Sequence, residues 1–105
     1  MVDIIKSKSD KRIYKHIVLP NKLACLIISD PEADKSSASL DVKIGCSKDP
    51  RPLYGTAHFL EHMLFMGTEK YPSESEYAEY ITDNGGMNNA YTSLTNTNYY
   101  FDVSN

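Results

Sequence analysis

Apolar and polar positions alternate along RIYKHIVLP, with Ile13, Lys15 and Ile17 on one side and Tyr14, His16 and Val18 on the other. A turn at Pro20-Asn21-Lys22 and the apolar run LACLIIS follow, so this region reads as a β-hairpin. DPEADKS is a polar loop. SASLDVKIGC alternates again, with Leu40, Val42 and Ile44 in phase, and gives a third strand that the prolines of SKDPRP end. From about Leu53 to Met66 only Gly55 interrupts the chain, which predicts a helix with Gly67 at its C-terminal end. A second helix has Ser73 as its N-cap, Glu76 completing an S-x-x-E box, and Tyr77, Tyr80 and Ile81 at helical spacing. Asn84-Gly85-Gly86 stops it. MNNAYTSL and TNYYFDVS then read as strands, the second with Tyr99, Phe101 and Val103 opposite Asn98, Tyr100 and Asp102. This order predicts an α+β fold, an antiparallel sheet with helices packed on one face.

Residues 1–11 are charged and aperiodic and read as a flexible lead-in, with 12–105 forming part of a single α+β domain. The chain stops directly after a strand, so the domain is expected to be incomplete at its C-terminus. At 41% apolar and 24% charged residues the composition is that of a folded protein. A net charge of −3 without any basic stripe argues against a nucleic-acid or anionic-membrane surface. No apolar run is long enough for a signal peptide or a membrane span, which points to a cytoplasmic setting. Cys25 and Cys46 both lie in strand-like surroundings and read either as free thiols in a reducing compartment or as one disulfide.

Against this ordinary background, HFLEH at residues 58–62 puts three ionisable groups into the oily stretch YGTAHFLEHMLFMG. At about 100° per residue, His62 lies at about +40° and Glu61 at about −60° from His58, so the three share one helix face. Leu53, Ala57, Leu60 and Leu64 fall on the far side as a core stripe, and Phe65 and Met66 flank the polar face. A helix apolar on nearly all sides is expected to be buried. Buried polar groups need partners, and a zinc ion would supply one. Two neutral imidazoles at i and i+4 can reach one metal, while the adjacent carboxylate, not itself a ligand, serves as general base. The order is that of the inverted zincin motif H-x-x-E-H. Single histidines on apolar faces are commonly structural, and His16 is read that way.

GTAHFLEHMLFMGTEKYPSESEYAEYITDNGGMNNAYTSLTNTNYYFDVS resembles the insulin-degrading enzyme and pitrilysin group of inverted-motif zinc metallopeptidases. The likeness runs over about residues 13–105 and is dense from Gly55 onward. It implies a zinc metalloendopeptidase acting on peptides or partly unfolded polypeptides, with His58 and His62 as zinc ligands and Glu61 as general base. It implies further that Asn89, Ala90 and Tyr91 lie on a strand that pairs with the substrate backbone; an ordinary internal strand is the other reading of residues 87–93. The family's third zinc ligand is a glutamate on a later helix, beyond Asn105, and its chamber needs further homologous domains. Glu69, Glu74, Glu76, Glu79 and Asp83 have turn, capping or solvated roles instead. The 105 residues alone are therefore expected to be inactive and, with an incomplete sheet, to self-associate. A non-catalytic peptide-binding or assembly module using a strand edge is the competing reading.

Overall fold

A computed structural model describes residues 4–105, so the first three residues of the expected lead-in lie outside it. The chain divides into two compact units, Met1–Ala33 and Asp34–Asn105.

The first unit is the expected hairpin: β1 (Ile13–Val18) pairs antiparallel with β2 (Ala24–Ser29), Ile13 opposite Ser29 and Val18 opposite Ala24. Its turn is where Pro20-Asn21-Lys22 predicts it. The Lys22 amide donates to the Leu19 carbonyl at 2.8 Å, the Asn21 side chain accepts from the Leu23 amide at 3.1 Å, and Lys22 takes a left-handed φ of 69°. Three-residue hairpin loops need one such residue at their end. Just before β1, Arg12 grips the Asp10 carboxylate through two nitrogens, each at 2.9 Å, and the Tyr14 hydroxyl donates to it at 2.7 Å. These bonds hold the Asp10 carboxyl well below the usual carboxylate range and push the Tyr14 phenol up.

The second unit carries β3 (Lys35–Val42), α1 (Thr56–Met63), α2 (Glu76–Asp83), β4 (Met87–Thr92) and β5 (Thr97–Ser104). The strands form one antiparallel sheet in the order β3-β5-β4, so the last strand sits in the middle and β4 at an edge. Register puts Leu40 opposite Tyr99 and Ala90 opposite that same Tyr99, with Val42 and Thr92 both opposite Thr97. These side chains share the face that meets the helices: the Phe65 ring, just past α1, lies 6.2 Å from Tyr99 and 5.9 Å from Tyr77 of α2. The other face is polar along β3, with Lys35 paired to Asp102 at 2.8 Å and Asp41 accepting from Asn96 at 2.8 Å, and carries Met87, Tyr91 and Tyr100 toward β4. The α+β class with helices on one sheet face is as expected.

Several boundaries differ from the sequence reading. The third strand ends at Val42, leaving Ile44 in a loop, where its carbonyl accepts from the Thr97 hydroxyl at 2.9 Å. That loop is drawn against the β4–β5 turn by Cys46 and Ser47 amides bonded to Ser93 and Leu94 carbonyls, both at 2.9 Å. Gly45 makes the approach possible, because a Cβ there would stand 2.2 Å from the Ser93 carbonyl oxygen. The second helix starts at Glu76 with Ser75, not Ser73, at its N-cap and no side-chain cap bond, so the capping box does not form. Ser73 instead lies 3.3 Å from the Ser75 hydroxyl. Its C-terminus is as expected: Gly85 at φ 63° bonds back to Thr82 and Gly86 to Ile81, a Schellman motif.

The largest correction concerns burial. Among the described residues Ile81, 3% exposed, is the one large hydrophobic side chain that is buried. The expected core stripe is open: Leu60 is 55% and Leu64 61% exposed. Both face a 640 Å³ cavity whose opposite wall is Leu40, Val42, Tyr99 and Phe101 of the sheet. Periodicity identifies which helix face is apolar, but burial requires a second surface within van der Waals reach. On the Leu60 and Leu64 side helix and sheet form two walls that stand apart, although Glu61 meets β4.

Candidate metal centre

The helix that carries HFLEH is shorter at both ends than the sequence suggests, and its start is fixed from a distance. The Asp49 carboxylate accepts from the Gly55 amide at 2.7 Å and from the Ala57 amide at 2.9 Å. Both are amides that an α-helix leaves without intrahelical partners, and a carboxylate there also complements the positive end of the helix. Gly55, at φ 90°, makes the turn into the helix. With this anchor, His58 lies in the first turn of α1 and His62 one turn on.

The two imidazoles converge. Their Nε2 atoms stand 3.1 Å apart and their ring centroids 4.7 Å, with 49° between the planes. Two nitrogens bound to one tetrahedral zinc at about 2.05 Å would be about 3.3 Å apart. The observed pair therefore already has the spacing of a two-imidazole zinc bite, and the donor set fits that metal. A donor atom from each of His58, Glu61 and His62 lies within 4.8 Å of the others.

Both histidines are exposed, whereas Glu61 is only 6% exposed. The expectation of a wholly buried trio is thus corrected: the imidazoles face outward and the carboxylate inward, toward β4. There the Thr92 hydroxyl donates to Glu61 Oε2. Burial, with the Glu61 carboxylate adding to it, pushes the Tyr99 phenol up. Among the described residues none of Glu69, Glu74, Glu76, Glu79 and Asp83 joins the cluster, and His16 lies in the other unit.

Asn89, Ala90 and Tyr91 lie on β4, an edge strand of its sheet. By register Ala90 is on the helix-facing side with Thr92, while Asn89 and Tyr91 alternate to the other. The Ala90 amide donates to the Asn89 side-chain oxygen at 2.8 Å. Sequence reasoning passed over Asp49 and Thr92. Asp49 acts six and eight residues from its own position, beyond the reach of a capping pattern. Thr92 was discoverable as a polar residue in phase with Ala90. Cys25 and Cys46 are both free. No helix is long and apolar enough to cross a membrane among the described residues.

The insulinase family model, peptidase family M16, matches residues 24–105. The chain is 55% identical over 103 residues to the A-factor-processing enzyme of Saccharomyces cerevisiae, covering 98% of this chain and 10% of that protein. It is 54% identical over 101 residues to human insulin-degrading enzyme, covering 96% and 10% respectively. The crystal structure of pitrilysin superposes with a TM-score of 0.91 at 44% identity, over 97% of this chain and 11% of that one. The chain thus spans about a tenth of the length of the curated relatives it matches. By the family match over most of its residues, with H-x-x-E-H on a helix beside an antiparallel sheet, the chain belongs to the insulinase family of peptidases.

Proposed function

We propose that the protein to which these residues belong is a zinc metalloendopeptidase that hydrolyses peptides or partly unfolded polypeptides. His58 and His62 are two of its zinc ligands and Glu61 its general base. The observation that carries this reading is the 3.1 Å approach of the two Nε2 atoms beside a buried carboxylate. When bound, zinc supplies Lewis acidity toward water and toward a peptide carbonyl. Glu61 takes the proton that the attacking water gives up and passes it to the departing amine nitrogen. The free edge of β4 at Asn89, Ala90 and Tyr91 pairs with an extended peptide backbone and lays it along the sheet. For that pairing the Asn89 carboxamide must release the Ala90 amide.

Two imidazoles are fewer than the three protein ligands a catalytic zinc site has. The third comes from outside the described residues, as do the further domains that enclose the substrate. Residues 1–105 alone therefore have negligible peptidase activity. They also self-associate, because the helix and sheet walls lined by Leu60, Leu64, Leu40 and Val42 stay open.

Hydrolysis of a quenched-fluorescence peptide by the full-length protein tests the catalytic assignment. Glu61→Gln is expected to keep zinc and lose activity by at least ~1,000-fold, while His62→Ala loses both. An active Glu61→Gln enzyme would remove the general-base role. Intact peptide binding without any hydrolysis by the unmutated protein would favour the binding-module reading.

A further inference from the structure

Resting on the metallopeptidase reading, we propose that Thr92 is a positioning residue that aims Glu61 from the substrate-pairing strand. Glu61 is the buried member of the trio, and a buried carboxylate must find hydrogen-bond donors. The Thr92 hydroxyl supplies one, to Oε2 only. One oxygen of the carboxylate is thereby held against β4, and the other is left for the reacting water. Thr92 is suited to this work in three ways. It sits two residues along β4 from Ala90 and on the same helix-facing side. It lies opposite Thr97, which is 6% exposed and tied to the Ile44 carbonyl at 2.9 Å, so the strand beneath it is fixed. Its β-branched side chain has few χ1 choices, which keeps the hydroxyl on one heading.

The helix bearing the base is therefore joined to the strand that receives the peptide by one side-chain hydrogen bond. The imidazoles are not part of this hydrogen bond, and their own spacing is set ring to ring within α1. Thr92 thus governs the turnover step and leaves metal binding untouched. A small displacement of a general base costs rate steeply, on the order of 100-fold for 1 Å.

The test uses the full-length protein with three variants. Thr92→Val keeps the shape and deletes the hydroxyl, Thr92→Ser keeps the hydroxyl, and Glu61→Gln removes the base. Zinc content, zinc affinity by chelator competition, and kcat and KM on one peptide are measured for each. The expected result for Thr92→Val is a kcat lower by about 10–100-fold, with KM within about twofold and zinc affinity unchanged. Thr92→Ser should return kcat to within about threefold of the unmutated enzyme. Adding Thr92→Val to Glu61→Gln should cost nothing further, because the residue acts only through the carboxylate. Unchanged kcat in Thr92→Val overturns the proposal. So does a loss accompanied by loss of zinc, or one that Thr92→Ser does not restore, since either marks a purely structural role. Should Thr92→Val fail to fold, Thr92→Ala with the same Ser rescue replaces it, under the same criteria. If Glu61→Gln is itself fully active, the metallopeptidase reading has failed, and not merely the role of Thr92.

Discussion

The division of labour proposed for HFLEH depends on which way each side chain is turned. His58 and His62 point outward with their Nε2 atoms converging, while Glu61 turns inward to Thr92. Spacing alone gives three groups on one helix face; it does not say that one of them would be buried and the others exposed. That asymmetry comes from β4, which packs beneath Glu61 and not beneath the imidazoles. Tyr99 reports on it. Burial and the Glu61 carboxylate both push its phenol up, so Glu61→Gln should lower the Tyr99 titration midpoint toward, but not to, the ordinary tyrosine value. NMR of ring-labelled tyrosine would show this, and an unmoved midpoint would mean the carboxylate is not near the ring. Asp10 is a second reporter, in the hairpin unit. Its carboxyl is held low by Arg12 first and Tyr14 second, so the ionised form is the one the fold favours. The contribution is present above about pH 3.9, the unfolded aspartate value, and is lost as pH falls through the lower folded value. Asp10→Asn should remove that part of the acid sensitivity of the hairpin, seen by circular dichroism as pH is lowered from above the unfolded aspartate value through the acid range below it.

The elements were legible wherever a short-range signal suffices. Alternation finds both strands of the hairpin, β5 to the residue, and the phase of Leu40 with Val42; Asn84-Gly85-Gly86 finds the end of α2. The starts of both helices were misplaced, and for different reasons. Ser73 satisfies a capping pattern but lies before the turn that precedes Glu76, so its hydroxyl meets Ser75 instead. Helix α1 begins at Thr56 because Asp49, across a loop with two prolines, binds the Gly55 and Ala57 amides. Replacing Asp49 by Ala should cost about 1–2 kcal/mol in denaturant unfolding, the range of a strong cap, and loosen the first turn that holds His58. Unchanged stability would show that the prolines alone set the helix start. The edge position of β4 follows from the sequence only through the family resemblance, beside the alternative of an internal strand, because strand order depends on long-range pairing. If a peptide adds to that edge, single backbone N-methyl groups along a substrate should raise KM at alternate positions, about tenfold at the sensitive ones. A uniform response along the peptide would rule out strand addition.

At the scale of the whole chain, two units with a single buried large hydrophobic among the described residues do not amount to a finished hydrophobic core. Periodicity marks the apolar stripe of α1 but not its burial, since a periodic pattern cannot reveal what stands opposite it. With Leu60 and Leu64 facing an open 640 Å³ cavity, residues 1–105 in isolation should sediment as oligomers at tens of micromolar, on the view that open apolar walls of this extent are covered by association. A clean monomer would contradict that. The proposed mechanism makes different demands on the three clustered residues, metal binding of His58 and His62 and proton transfer of Glu61. Zinc affinity, measured by competition with a chromophoric chelator on the full-length protein and on His58→Ala and Glu61→Gln, separates ligand from base. The expected result is a loss greater than ~100-fold for His58→Ala and a change within about threefold for Glu61→Gln. If Glu61→Gln loses zinc as severely as His58→Ala, Glu61 is a ligand, and the assignment of this buried carboxylate as general base is wrong.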